Sequence, residues 1–420
     1  MQQSFSVPGT LDGVDLRALA NHLPTPFYAY ASSAIRGQVG ALQRALEGLD
    51  AHLCFAVKAN PNIGVLNLMA GLGVGADIVS LGELRRALRA RIPPGRIVFS
   101  GVGKSEAEIA AALAAGVWKF NLESADELRM LQNLAHAQGQ TACAAVRINP
   151  NVDARTHAKI STGKAENKFG VGIDEARAWF AEPDRHPNVR LDGLHAHIGS
   201  QILELTPFEQ ALARMASFWR ELVADGHSIE SIDVGGGLGV CYRQGEDTPI
   251  AAADYAEAIR TAFTGFRGRF VLEPGRYLVA EAGVLVTRVI RTKRGIGRDF
   301  LVVDAAMNDL QRPALYDAWH DIHPLHDTPR PLQHYDVVGP VCETGDTFTR
   351  DRLLPQCEAG DLLLIAGAGA YGASMSSTYN SRPLVAEVLL DQGRYAIVRR
   401  RQTFEEMVAG EQSPQAWHVA

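Results

Sequence analysis

Between residues 54 and 275, short apolar, β-branched runs alternate with longer segments whose leucines recur every three or four positions. Short apolar runs build strands and a three-to-four periodicity builds helices, so this alternation restricts the chain to repeated βα units around a parallel sheet. The runs occupy residues 54–58, 76–79, 96–100, 119–122, 144–148, 191–198, 231–234 and 269–273. Between them, segments such as Leu81-Gly82-Glu83-Leu84-Arg85-Arg86-Ala87-Leu88 and Ala125-Asp126-Glu127-Leu128-Arg129-Met130-Leu131 read as amphipathic helices, and another is expected over residues 33–49. Eight strands and eight helices close most economically into a (β/α)8 barrel. An open doubly wound sheet is the alternative, but its glycine-rich phosphate loop would follow the first strand, and here that loop follows the seventh.

After about residue 275 apolar runs continue at 284–290, 300–303, 335–338, 361–365, 384–390 and 395–398, but most lack helices between them. This predicts a second, mainly β domain, which Pro26-Phe27-Tyr28-Ala29-Tyr30 should join. The expected division is a barrel over 33–275, and a β domain built from 1–32 together with 276–420. A chain of 420 residues is long enough for two cores. Its 46% hydrophobic and 21% charged residues are ordinary for a soluble globular protein, and its net charge of −6 argues against a nucleic-acid partner. There is no apolar stretch of membrane-spanning length, and Met1-Gln2-Gln3-Ser4-Phe5 lacks the basic and apolar regions of a signal peptide. A cytoplasmic location is expected. The five cysteines, 54, 143, 241, 342 and 357, are scattered without C-x-x-C spacing, so most are expected to be small core residues.

Catalytic groups of a (β/α)8 barrel come from the C-terminal ends of its strands. Here those ends carry Lys58, Asp77 with Ser80, Ser100, Glu123 with Ser124, Arg147 with Asn149, His195 and His197 with Ser200, Asp233 with Gly235-Gly236-Gly237, and Glu273 with Arg276. A single lysine at a strand end commonly snorkels to solvent. Polar groups at eight successive ends argue instead for a shared site. Burial is expected to push the Lys58 pKa down toward that of a nucleophilic, imine-forming amine. The segment Asp233-Val234-Gly235-Gly236-Gly237-Leu238-Gly239 would let backbone amides approach a phosphate, although glycine clusters alone more often mark turns. Gly275 and Arg276, after the eighth strand, fall where a second phosphate contact belongs. His195-Ala196-His197 puts two imidazoles on one face of a strand. With no histidine at the other strand ends, no metal is expected; stacking of one imidazole on an aromatic cofactor ring fits better, with at least one of the pair structural. A phosphate nest, an imine-forming lysine, a stackable histidine and the carboxylate of Glu273 together describe pyridoxal phosphate.

The chain resembles the fold type III pyridoxal-phosphate decarboxylases, with their alanine racemase-like barrel, and most closely the diaminopimelate decarboxylases. The carriers are Phe55-Ala56-Val57-Lys58-Ala59-Asn60, Lys159-Ile160-Ser161-Thr162-Gly163, Glu166-Asn167-Lys168-Phe169-Gly170, His195-Ala196-His197-Ile198-Gly199-Ser200, Gly235-Gly236-Gly237-Leu238-Gly239, Glu273-Pro274-Gly275-Arg276, Arg312-Pro313-Ala314-Leu315-Tyr316 and Gly339-Pro340-Val341-Cys342-Glu343. The resemblance implies decarboxylation of meso-2,6-diaminopimelate to L-lysine by a homodimer whose active sites are shared between subunits. Lys58 would hold the cofactor, His197 stack on its ring, Glu273 face its nitrogen, and Ser200, Gly236, Gly237, Gly275 and Arg276 lie near its phosphate. Asp77, Arg147 and Tyr371 complete the expected cofactor set. Arg276, Arg312 and Tyr316 would take the distal carboxylate of the substrate and Glu343 its distal amine, with Tyr371 adjoining. Cys342, an inert buried thiol if read alone, becomes the candidate for positioning or delivering a proton; it and Glu343 would come from the other subunit. A decarboxylase of ornithine, arginine or carboxynorspermidine is the alternative, and a non-catalytic cofactor-binding protein a weaker one. The chain departs from the family's usual Ser-Gly-Gly-Glu at Ser80-Leu81-Gly82-Glu83.

Overall fold

The computed structural model describes residues 9–154, 156, 162–163, 167–326 and 328–414. They form two compact units. One comprises Ala31–Gly283 with Gly369–Ser374; the other comprises the described residues up to Tyr30, Val284–Ala368 and those from Met375 onward.

In the first unit eight parallel strands, Ala51–Ala56, Gly75–Ile78, Ile97–Phe99, Lys119–Leu122, Ala142–Arg147, Val189–His195, Ser231–Asp233 and Arg269–Leu272, close into a barrel in chain order. The eighth pairs with the first, Val271 opposite His52. Each expected run is present, with one shift that matters. The first strand stops at Ala56, and Lys58 sits in the 3-10 turn Val57–Ala59. The turn lifts Lys58 out of the ladder. Parallel strands in a barrel are covered on both faces, which explains their apolar composition. Gly75 is needed where two strands run close, because a Cβ there would collide with the carbonyl oxygen of Arg96.

Several helices around the barrel begin where a short polar side chain can satisfy open amides. Ser80 Oγ accepts from the Glu83 amide at the start of Leu81–Arg89, and Ser124 Oγ accepts from the Glu127 amide at the start of Ala125–Ala137. Both serines were grouped with the strand-end chemistry on sequence; both are helix caps. Leu81 is the first residue of its helix, and its amide donates to Glu108 Oε1 at 2.9 Å.

The second unit is built on a nine-stranded sheet. Its main path runs Thr347–Pro355, Leu332–Val338, Asp299–Val303, Gly283–Arg294, Phe27–Ala31, Ala386–Asp391 and Arg394–Arg399. Phe27–Ala31 is buried throughout and lies inside this sheet. Two strands of this sheet escaped the sequence reading. Thr347–Pro355 carries Arg350, Asp351 and Arg352 at its centre and lies at a sheet edge, where charged residues are tolerated, and Ile322–Pro324 is too short to show a period. Cys54 and Cys357 are buried, Cys143 and Cys241 are half-buried and Cys342 is exposed, so fewer cysteines serve the core than expected. Among the described residues no helix is long and apolar enough to cross a membrane.

Candidate active site at the barrel mouth

Lys58 Nζ donates to Asp77 Oδ2 at 2.8 Å across the ends of the first two strands, and the lysine side chain is 40% exposed. Asp77 is fully buried. Burial pulls the lysine pKa down, but the carboxylate of Asp77, with Tyr371 and Glu273, outweighs it and holds the amine above its ordinary value. This reverses the expectation from burial alone. The ammonium has a partner, so it must pass a proton on, and Asp77 is the group in reach.

Glu273 is buried at the end of the eighth strand and held from three sides. Ser100 Oγ and Asn121 Nδ2 each lie 3.1 Å from Oε1, and His195 Nε2 lies 3.3 Å from Oε2. Burial alone would raise its pKa; His195, Lys58 and His197 overcome this and keep Glu273 ionised. Asp233 goes the other way. Burial and the neighbouring Glu273 push its carboxyl well above the usual range, so the proton of this acidic pair rests on Asp233. His195, Asp233 and Glu273 bring one donor atom each within 4.8 Å of one another. The sequence argument that the histidines lack further ligands is therefore corrected: two carboxyl groups converge on His195. Asp233 Oδ1 also accepts from the Gly235 amide at 2.9 Å, tying this group to the glycine turn.

His197 is held neutral, its pKa pulled down to about 3 by burial and by the cations of Arg147 and Lys58. Its Nδ1 accepts from the Gly236 amide at 3.2 Å, which places the ring proton on Nε2. The structural member of the pair is His195. Arg147 is buried and ion-paired with Glu123 at 2.7 Å, with Phe169 beneath its guanidinium at 4.7 Å.

The glycine turn explains itself by packing. A Cβ on Gly235 would stand 2.5 Å from the Ala196 carbonyl oxygen, one on Gly237 2.6 Å from that of Gly199, and one on Gly236 would collide with that of Glu273. Gly235 and Gly237 also have φ of 69° and 113°, in the left-handed region. Absence of side chains is thus required by neighbouring strand ends, a reason that spacing could not show. Beside this turn, buried Arg276 donates through Nε and Nη2 to Ser200 Oγ at 3.3 and 3.1 Å, and through Nη1 to the Tyr242 hydroxyl at 2.6 Å. Its guanidinium lies 4.9 Å from the Tyr371 ring. Tyr371 has φ of 56° and is fixed by its amide to the Ala59 carbonyl at 2.8 Å. Gly275 packs tightly, since a Cβ would lie 3.0 Å from those of Ala56 and Ala59.

Lys58, Asp77, Arg147, His197, Ser200, Gly236, Gly237, Glu273, Gly275, Arg276 and Tyr371 all belong to the first unit. The second carries the remainder. Arg312 is buried at the start of the short helix Arg312–Tyr316, its Nη1 2.9 Å from His320 Nε2, and Tyr316 is half-buried. Cys342 and Glu343 are exposed; the Cys342 amide donates to Asn380 Oδ1 at 3.1 Å and the Tyr379 hydroxyl to Glu343 Oε2 at 2.8 Å. Exposure excludes the reading of Cys342 as a buried inert thiol. Lys159, Ile160, Ser161 and Glu166, from two of the quoted motifs, lie outside the described residues. Sequence reasoning missed Asn121, Tyr242 and Tyr379, and it saw His320 only as one of a histidine cluster with His323 and His326 that did not make a metal site. Only Asn121 left a trace: with Lys119 it forms a polar, apolar alternation in a strand otherwise buried on both faces.

The family profile described as "Pyridoxal-dependent decarboxylase, pyridoxal binding domain" matches residues 32–280. Similar proteins include the diaminopimelate decarboxylases of Pseudomonas aeruginosa, 48% identical over 95% of this chain and 96% of the relative, and of Zymomonas mobilis, 46% identical over 96% and 97%. The chain belongs to the diaminopimelate decarboxylase family of pyridoxal-dependent decarboxylases. Among solved structures, the diaminopimelate decarboxylase of Helicobacter pylori complexed with L-lysine is 43% identical, with a TM-score of 0.90 over 94% of this chain and 98% of that one.

The barrel of this decarboxylase family binds pyridoxal phosphate, and the residues here fit it. An exposed lysine amine, a neutral imidazole, an ionised buried carboxylate and a side-chain-free turn beside an arginine match the groups of that cofactor in kind. Gly236→Ala is expected to displace the turn against Glu273 and weaken cofactor retention at least tenfold, read by the cofactor absorbance remaining after dialysis. His197 supplies a second test. Its ring protonates near pH 6.5 when unfolded but only near 3 when folded, so its stability contribution is complete above 6.5 and is lost as pH falls toward 3. In cofactor-free protein, His197→Gln should flatten the fall of melting temperature over that window; an unchanged slope would contradict the assignment.

Proposed function

We propose that the protein removes the carboxylate at the D centre of meso-2,6-diaminopimelate as carbon dioxide and leaves L-lysine. The observation that carries this is identity of 46–48% to diaminopimelate decarboxylases over 95–96% of the chain, which takes in both units. Those limits include Arg312, Tyr316, Cys342 and Glu343, the residues on which substrate choice would rest. Pyridoxal phosphate, when bound, supplies the electron sink for the bonding pair left behind by carbon dioxide.

The chain's own residues bind, orient and move protons. Lys58 would hold the cofactor, with Asp77 Oδ2 placed to take the proton of its amine. Ionised Glu273, fixed by Ser100, Asn121 and His195, would keep a proton at the cofactor's ring nitrogen. The turn at Gly235, Gly236 and Gly237, with Ser200, Gly275 and Arg276, would serve the phosphate, and neutral His197 would stack on the ring. Arg312 and Tyr316 would serve the distal carboxylate, which a planar guanidinium grips through two parallel hydrogen bonds. Glu343 takes the distal amine, and Cys342 positions or delivers the proton to the carbon that has lost carbon dioxide. An ornithine decarboxylase would have no carboxylate for Arg312 to hold. Cys342 and Glu343 would act in the site of a second subunit, so the working form is a homodimer, a reading that the exposure of both residues in the single chain supports; the cytoplasm is its proposed location.

Purified protein should release carbon dioxide from meso-diaminopimelate with stoichiometric L-lysine; activity confined to ornithine or arginine would sink the assignment. Shared sites have their own test. Lys58→Ala and Cys342→Ala chains, each nearly inactive alone, should recover about a quarter of wild-type activity when unfolded, mixed and refolded, because half the dimers then contain one intact site. No recovery would place each site within one chain.

A further inference from the structure

We infer that His320 is a positioning residue that sets the plane of the Arg312 guanidinium for carboxylate recognition, an inference that rests on the reading of Arg312 as the clamp for the distal carboxylate. The imidazole is 2% exposed. Its Nε2 lies 2.9 Å from Arg312 Nη1, and its Nδ1 lies 2.8 Å from the carbonyl oxygen of Ala366. A guanidinium nitrogen can only donate and a carbonyl oxygen can only accept, so Nε2 must accept and Nδ1 must carry the proton. Both contacts call for the same neutral tautomer.

The ring is in turn anchored to the backbone of the second unit. Ala366 follows the strand Leu362–Ile365, and its amide donates to the Asp321 carbonyl at 2.8 Å. Arg352 Nη2 donates to the carbonyl of His320 itself at 2.9 Å. The acceptor Nε2 is therefore aimed at one point, and Arg312 must meet it there. An arginine has several rotatable bonds, and a two-point grip on a carboxylate requires its terminal plane to be defined in advance. The chemistry of the partner matters as much as its place. A carboxylate at position 320 would orient Arg312 equally well but neutralise it and compete with the substrate. A neutral imidazole orients the guanidinium and leaves its charge for the ligand. His320, His323 and His326 stand together in the sequence, and the geometry gives the first of them this task.

Calorimetric titration of holoenzyme variants with L-lysine and with cadaverine tests the assignment, because L-lysine keeps the carboxylate and cadaverine is the same diamine without it. His320→Leu should weaken L-lysine binding about tenfold, the worth of one buried hydrogen bond to a charged group, while cadaverine changes less than about twofold. In turnover of meso-diaminopimelate the same variant should raise KM about tenfold and leave kcat within about threefold. His320→Gln, whose amide oxygen still accepts, should recover most of the loss. If His320→Leu binds L-lysine normally while Arg312→Gln does not, the clamp stands and the positioning role is overturned. If Arg312→Gln also binds L-lysine normally, the clamp itself is refuted, and the inference with it. Equal weakening of both ligands by His320→Leu, with a lowered melting temperature, would mark His320 as a fold support only and equally overturn the proposal.

Discussion

Closure of eight parallel strands into a hydrogen-bonded ring is the constraint on which the site depends. Parallel pairing requires that every strand point the same way, so every strand ends at the same rim. Lys58, Asp77, Ser100, Arg147, His195, Asp233 and Glu273 are scattered over more than half the chain, yet each stands within a residue or two of the C-terminal end of its strand. The ring also removes exposed edges from the sheet. Side chains at the rim therefore project from a rigid frame, and their mutual distances follow from register.

Within that frame, charge is distributed by competition between desolvation and neighbours. Glu273 and Asp233 are both buried, but His195 and two further donors favour ionisation of the first, and the first then forces protonation of the second. Lys58 stays cationic because Asp77 is close enough to repay its burial. At His197, burial and the cations of Arg147 and Lys58 outweigh the carboxylate of Glu273, and the ring remains neutral. These four groups thus take three different charge states. None of these states belongs to the residue type; each belongs to the company it keeps.

Much of the fold was legible in the sequence. Eight buried strands with helices between them leave a clear periodic signal, and all eight were located; only their ends moved, as with the turn that carries Lys58 beyond Ala56. In the second unit, strands with apolar runs were found, while the charged edge strand Thr347–Pro355 was not, because an edge can carry Arg350 and Asp351 without cost. The polar residues of the rim were legible because strand ends share one face by topology. Their partners were not. Tyr242 reaches Arg276 from a loop, and His320 meets Arg312 through a local fold with no periodic mark.

By itself, the sequence determined the barrel, the pyridoxal-binding rim and the motifs that place the chain among the diaminopimelate decarboxylases, since each is written in local periodicity or in contiguous residues. Only the tertiary structure decided which groups are charged, why the glycines lack side chains, and which serines cap helices rather than serve the site. The physical reason is that pKa and steric exclusion depend on atoms a few ångströms away in space. Those atoms come from other strands, and their identity is absent from any local stretch of sequence.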